Sequence, residues 1–341
     1  MDISKLIFQV ALLFVMMVPG VVLKKARLVP DGFGKGLSNL ILYIAQPILI
    51  VAAYINCDVD FAHIWLNIVV VFILSVVAHV LFSVVALLLF RGAIDSRRRM
   101  LRFATIFANA AFMGIPLIDV LIGPEAAIYA SIYNITFNLF LWTLGVHLCT
   151  VQDGVDMDGD GDHDITDRYI SAVKETKAAG GILKVLLHPV TLASIIGVIC
   201  LVTGVNADLL ATVHLSLITE TLNMIKALVA PLSMVVIGLR LAEIKLDGIL
   251  TDGYMYLFLA LRHLVLPLAL LGIIKLAGLI VPINEVSTLV TIILASTPAA
   301  SSATMFAEKY DCDAVYTSRL VVVSTILCIF TMPLVVSLAL I

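Results

Sequence analysis

Ten apolar stretches run the length of the chain, separated by short polar segments. They lie at about 5–23, 37–56, 64–90, 101–122, 126–149, 183–204, 209–239, 254–278, 286–307 and 314–340. Crossing ~30 Å of hydrocarbon takes about 20 residues at 1.5 Å each, so each stretch reads as a membrane-spanning helix. Spans 7 and 10 exceed that minimum, which predicts tilt or an interfacial overhang. The first stretch has the length of a signal peptide, but no A-x-A site precedes Lys24, and a partner stretch begins near 183. The longest polar interval, 151–182, separates five spans from five. An odd number of spans per half forces the halves into opposite membrane orientation, the inverted-repeat plan of many secondary transporters. The expected fold class is thus all-α integral membrane, with repeats at 1–150 and 183–341 and a linker at 151–182.

Prolines interrupt this pattern at matched places. Pro47 and Pro116 in the first half stand opposite Pro231 and Pro298 in the second, offset by 184 and 182 positions, and Asn39 and Asn223 are offset by 184. Proline inside a helix removes a backbone hydrogen bond and crowds the preceding turn. Paired interruptions in two apolar halves point to a midplane binding site. In span 4, Gly114 and Pro116 predict a break after Phe112, with N–H groups freed at Gly114 and Ile115. In span 9, Thr297, Pro298, Ala299, Ala300, Ser301 and Ser302 predict a second one. A half-helix N-terminus favours an anion such as a carboxylate. Asn109, seven residues before Pro116, offers both donor and acceptor. Two ordinary kinks packed by small residues are the alternative.

Other polar groups within spans are costly there and are candidates for function. Gln46 adjoins Pro47. Asn134 and Asn138 share one face of span 5, to line a cavity or bridge helices. Lys226 in span 7 and Arg319 early in span 10 are candidate carboxylate partners, or else snorkelling cations; Glu220 is a second possible partner of Lys226. Asp119 is the acid nearest the span 4 break. His79 and His263 read as packed or interfacial, with proton carriage the alternative.

Composition excludes other classes. The chain has 341 residues and is 62% hydrophobic. It carries no nucleophile–base arrangement, no P-loop, no metal-ligand spacing in the spans, and no interleaving of aromatic and basic residues that would suggest nucleic acid. No cofactor is expected. The cysteines, Cys57, Cys149, Cys200, Cys312 and Cys328, are scattered and read as apolar packing. In the linker, Asp156, Asp158, Asp160, Asp162, Asp164 and Asp167 fall at EF-hand loop positions, with Gly161 at the turn. His163 takes the hydrophobic position, Asp167 stands where a bidentate Glu is usual, and no second EF-hand follows. A solvated acidic loop and a weak Ca²⁺ site are both open.

The motifs carry a resemblance. Asn109 followed by Phe112-Met113-Gly114-Ile115-Pro116-Leu117 is similar to the signature of the auxin efflux carrier family, which includes plant auxin exporters and bacterial malate and malonate permeases. Thr297-Pro298-Ala299-Ala300-Ser301, Phe306-Ala307-Glu308-Lys309-Tyr310, and His188-Pro189 with Ser194–Gly197 extend it across all ten spans. The resemblance implies a fold like that of sodium/proton antiporters and bile-acid transporters. Spans 1, 2, 6 and 7 would form a scaffold that dimerises. Spans 3–5 and 8–10 would form a moving transport domain, with broken spans 4 and 9 crossing at its centre. It further implies an organic carboxylate substrate bound at that crossing and moved by an elevator-like shift. His188 and Ala303 stand where plant members have Asn and a second crossover proline, so auxin is not the expected substrate. The expected function is secondary transport of a small organic anion, a mono- or dicarboxylate. A sodium-coupled symporter of the bile-acid type and a Ca²⁺-responsive sensor or channel are the alternatives.

Charge sets the topology. Of 21 Lys and Arg, 16 lie in the loops after the odd-numbered spans: Lys24, Lys25, Arg27, Lys35, Arg91, Arg97, Arg98, Arg99, Arg102, Arg168, Lys174, Lys177, Lys184, Arg240, Lys245 and Lys309. Lys5 and Lys275 are on the other side. The positive-inside rule then puts both termini outside a cell membrane and the linker in the cytoplasm. The Arg97–Arg99 run reads as part of this signal, with anionic lipid binding the alternative. After replacement of the native cysteines, a linker cysteine should resist an impermeant maleimide in intact cells, whereas one beside Lys275 should label; the reverse pattern would invert the topology.

Overall fold

The computed structural model describes residues 3–30, 32–57, 61–150, 183, 186–212, 215–243 and 252–340. These are helical apart from short connections and one isolated backbone bridge. Hydrocarbon offers no hydrogen-bond partner, so a spanning chain must satisfy its own backbone. The helices of the first half are α1 (Ile3–Val15), α2 (Val18–Lys25), α3 (Phe33–Leu40), α4 (Gln46–Ile55), α5 (Phe61–Leu89), α6 (Asp95–Ile106), α7 (Ile115–Leu121), α8 (Pro124–Phe140) and α9 (Val146–Thr150). Those of the second are α10 (Pro189–Thr203), α11 (Ala207–Thr212), α12 (Ser216–Glu243), α13 (Gly253–Ala260), α14 (Leu266–Ala277), α15 (Glu285–Ser296), α16 (Ser302–Lys309) and α17 (Ala314–Ala339).

Among the described residues, seven helical runs are long and apolar enough to cross a membrane: Ile7–Lys25, Phe33–Ile55, Ile64–Leu89, Pro124–Thr150, Ser216–Glu243, Gly253–Ala277 and Ala314–Ala339. Three shorter apolar helices accompany them, Ala110–Leu121, Pro189–Thr203 and Glu285–Ser296. The difference from ten uniform stretches has local causes. The stretches at 101–122 and 286–307 are each divided in two, and α10 begins only at Pro189.

Pro47, Pro116, Pro231, Pro267 and Pro333 lie within helical runs without ending them. Turns of π-helix occupy Ile41–Ala45, Ala110–Gly114, Leu141–Gly145 and Leu261–Val265. Three of these stand just ahead of Gln46-Pro47, Ile115-Pro116 and Leu266-Pro267. A proline ring collides with the carbonyl four residues back, and a wider turn moves that carbonyl aside. Pro231 and Pro333 lie inside continuous α12 and α17. Pro47 and Pro231, read as one of the two matched interruptions, therefore sit in unbroken helical runs. Hydroxyls do similar work: Thr105, Ser194, Thr291 and Thr325 each donate to the carbonyl four residues back.

Two sets of helices pack internally. In one, α12 lies against α2 and α4, and α4 against α10. In the other, α5 packs on α6 and α8, and α17 on α6, α15 and α16. Glycine sets the closeness of the first set. A Cβ on Gly238 would meet the Met17 carbonyl, and one on Gly20 the Val235 carbonyl, so the α2 and α12 backbones touch. A Cβ on Gly197 would collide with the Tyr54 ring.

Because backbone cannot step aside as a side chain can, Gly238→Ala should destabilise the protein by about 1–3 kcal/mol, the cost of overpacking. Gly272, with open space where its Cβ would be, is the control: Gly272→Ala should hold or raise the thermal midpoint in detergent. Equal midpoints for the two variants would disprove the tight crossing.

Candidate crossover site

The centre of the second set is built from two interrupted helices. α6 ends at Ile106, and Phe107 is extended (φ −94°, ψ 116°). α15 ends at Ser296, and Thr297 is extended (φ −62°, ψ 155°), as a residue before proline must be. The two extended pieces pair. Ala108 and Ala299 form an antiparallel bridge; Asn109 N–H donates to Pro298 O at 2.8 Å, and Ala300 N–H to Phe107 O at 2.9 Å. Each interruption thus satisfies backbone groups that the other exposes.

The first interruption lies ahead of Asn109, not after Phe112. Pro116 sits within the helical run Ala110–Leu121, which resumes beyond the gap, and the π-turn before it absorbs its ring. The donors expected at Gly114 and Ile115 are consequently used: Gly114 N–H goes to Asn109 O at 3.3 Å and Ile115 N–H to Ala110 O. The open helix start is instead at Ala110, Ala111 and Phe112, whose N–H groups have no backbone acceptor among the described residues. On the other piece, Ala299 N–H donates to Ser324 Oγ at 2.9 Å, and Ser301 and Ser302 stand at the head of α16. Gly114 is needed for packing: a Cβ there would strike Leu294.

Side chains converge on this point. Asn109 is 3% exposed, and its amide makes no side-chain hydrogen bond among the described residues. Gln46 Nε2 donates to Ala111 O at 2.6 Å, leaving its buried Oε1 without a partner. Two arginines complete the arrangement, and sequence reasoning passed over both as site residues. Arg240 Nη1 donates to Ser301 O at 2.6 Å. Arg262, wholly buried, donates from Nη2 to Thr297 O at 2.8 Å and lies 5.4 Å from the Phe82 ring centre. Its Nε and Nη1 have no partner, and no carboxylate pairs with it among the described residues. The carbonyl it takes is at the negative end of α15, where a cation is favoured. The signal was available. With 16 of the 21 Lys and Arg in loops after odd spans and Lys5 and Lys275 opposite, three remain inside spans: Lys226, Arg262 and Arg319.

The remaining candidates scatter. Asn138 Nδ2 donates to Asn134 O at 2.9 Å within α8, while Asn134 Oδ1 is buried and unpartnered. His188 caps α10, its Nδ1 accepting from Val190 N–H at 3.4 Å. Arg319 keeps a buried Nε without a partner. His263 is tied to Ser324 Oγ at 2.9 Å and Thr331 Oγ1 at 3.1 Å, and His79 to Ser75 O at 2.7 Å. The Arg97–Arg99 run is engaged by protein: Arg97 with Asp313, and Arg98 and Arg99 with Asp95. The Asp-rich linker, Asp156 through Asp167, lies outside the described residues. Lys226 Nζ lies 2.8 Å from Asp119 Oδ1, an ion pair without hydrogen-bond alignment. Asp119 is ten residues beyond Asn109, about 15 Å along a helix, so this pair stands away from the crossover.

The chain matches the family described as membrane transport protein over residues 5–336, and it belongs to that family, the auxin efflux carrier family. No curated protein matches it.

The Lys226–Asp119 pair is mostly buried, with 17% and 9% of the side chains exposed. Removing one partner strands the other charge, whereas removing both does not. Lys226→Met should therefore cost about 3 kcal/mol of stability, and Lys226→Met with Asp119→Leu distinctly less. Thermal unfolding in detergent reads this; additive losses would mean that the pair is not coupled.

Proposed function

We propose that this membrane transport protein is a secondary transporter for a small organic anion, a mono- or dicarboxylate, bound where the interrupted helices cross. The observation that carries the reading is an unpartnered, buried Asn109 amide beside a fresh helix start, with the guanidinium groups of Arg240 and Arg262 on the adjoining carbonyls. Guanidinium stays charged at any working pH. The site thus carries positive potential from two cations and two half-helix N-termini, which favours one negative charge. A carboxylate would accept from the N–H groups at Ala110–Phe112 and from Asn109 Nδ2, with Ser301 and Ser302 opposite. Gln46 approaches from the other helix set. Lys226, neutralised by Asp119, stands outside this field, and Arg319 is an outlying member of it.

In this reading the ten apolar stretches are two inverted five-helix repeats with both termini outside a cell membrane. Spans 1, 2, 6 and 7 form a scaffold through which two copies pair, and spans 3–5 and 8–10 move against it as an elevator. The glycine-locked packing of α2, α4, α10 and α12 supports a rigid scaffold. Among the described residues, polar contacts that join the two sets include Gln46 to Ala111 O, Arg240 to Ser301 O, and Lys226 to Asp119. An elevator shift would exchange these, while the backbone bridge travels intact with the substrate.

A thermal-shift screen of the purified protein against organic acids identifies the ligand, and counterflow in vesicles, with and without sodium, tests carriage and coupling. Asn109→Ala should then weaken affinity by about one to two orders of magnitude, since a buried hydrogen bond to a charged group is worth ~1.5–3 kcal/mol. Pro116→Ala restores an N–H and lets the π-turn relax to α, swinging Asn109 away from the crossing, so transport should collapse in a folded protein. Wild-type affinity in both variants would move the site elsewhere.

A further inference from the structure

The carboxyl end of the first half meets the loop between α16 and α17 at a pair of thiols. Cys149, wholly buried near the end of α9, and the half-buried Cys312 are separated by 163 positions in sequence. α16 packs on α9, and Asp311, in the left-handed region at φ 50°, turns Cys312 back toward it. Cys312 Sγ lies 3.8 Å from Cys149 O, which sets the two cysteines against one another. Arg99 completes the group, donating from Nη1 to Cys149 O at 2.6 Å while its Nε pairs with Asp95 at 3.0 Å. The other cysteines stand apart, Cys328 with its thiol on Ser296 O at 3.5 Å.

We infer that Cys149 and Cys312 are a redox modification site, closing to a reversible intramolecular disulfide that ties the end of α9 to the distal end of α16. The division of labour follows from access and charge. Cys312 is the reachable thiol, and the thiolate is the attacking species. The neighbouring Cys149 side chain holds the Cys312 thiol below the usual thiol range; Arg99 adds to this and burial opposes it. Cys149 is closed to solvent and is placed to resolve. The oxidant is a low-molecular-weight disulfide. Cys312 thiolate attacks one of its sulfurs and expels the first thiolate, giving a mixed disulfide. Cys149, losing its proton, then attacks Cys312 sulfur and expels the second. Two protein thiols are oxidised, one external disulfide is reduced to two thiols, and protons balance.

The consequence is mechanical. α16 begins at the crossover and ends two residues before Asp311, so the cross-link fixes the far end of the helix whose start carries Ser301 and Ser302. The thiols share a face with Arg97–Arg99, the side that the charge bias assigns to the reducing cytoplasm. There such a bond forms under oxidant and is reversed afterwards. The site does not depend on which substrate the chain carries.

The test uses the full chain in detergent micelles. Protein is treated with glutathione disulfide, free thiols are blocked with N-ethylmaleimide, and the digest is analysed by mass spectrometry. The expected product is one peptide pair joining Cys149 to Cys312, with two of the five thiols protected and both restored by dithiothreitol. Cys312→Ser should abolish the cross-link and leave Cys149 unmodified. Cys149→Ser should stop at a glutathione adduct on Cys312. Each variant is first checked for wild-type elution on size exclusion. Wild-type Cys312 adducts that never resolve, cross-links formed only between chains, or loss of two thiols in Cys312→Ser would each overturn the assignment.

Discussion

Every buried backbone group must find a partner, and hydrocarbon supplies none. Interrupting a helix in that setting exposes N–H and C=O groups at a cost comparable to several lost hydrogen bonds. This protein makes two interruptions and sets them against one another. Asn109 N–H reaches Pro298 O, Ala300 N–H reaches Phe107 O, and Ala108 pairs with Ala299. Neither break is tenable alone. The pairing in turn fixes where α6, α15, α16 and the helical run after Asn109 can lie, and which groups remain open for a ligand.

The arginines follow from the same constraint. Ending α15 at Ser296 leaves carbonyls at a negative helix end, and Arg262 takes Thr297 O; Arg240 takes Ser301 O on the other side of the break. A cation is a strong donor for an orphan carbonyl. It also leaves positive charge behind, and for Arg262 no acid cancels it among the described residues. Structural repair of the break thus explains how buried guanidinium can be kept inside an apolar bundle.

The two helix sets are held by different means. Within the first, glycine lets backbones touch, as at Gly20 and Gly238, and steric fit leaves little room to slide. Between the sets, the joins include single polar contacts, each to one atom: an amide on Ala111 O, a guanidinium on Ser301 O, an ion pair at Asp119. Such contacts are broken and remade one at a time, unlike an interlocked backbone crossing.

The sequence by itself determined the membrane character, the place of the apolar stretches, the neighbourhood of the interruptions and the family. These are properties of local composition: hydropathy over about 20 residues, the missing N–H of proline, and a motif from Asn109 to Leu117. Asn109 and the 297–302 segment were legible for that reason. The tertiary structure decided the rest. Pro116 looked like the break, but a π-turn accommodates it, and the gap falls at Phe107–Asn109 because the partner segment offers hydrogen bonds there. Arg262 reaches the crossing only because Thr297 arrives opposite it, 35 positions away. Lys226 meets Asp119, and Cys312 meets Cys149 O, for the same reason. Contacts between distant residues depend on how helices cross, and a linear pattern carries the period of each helix but not the angle or register at which two of them meet.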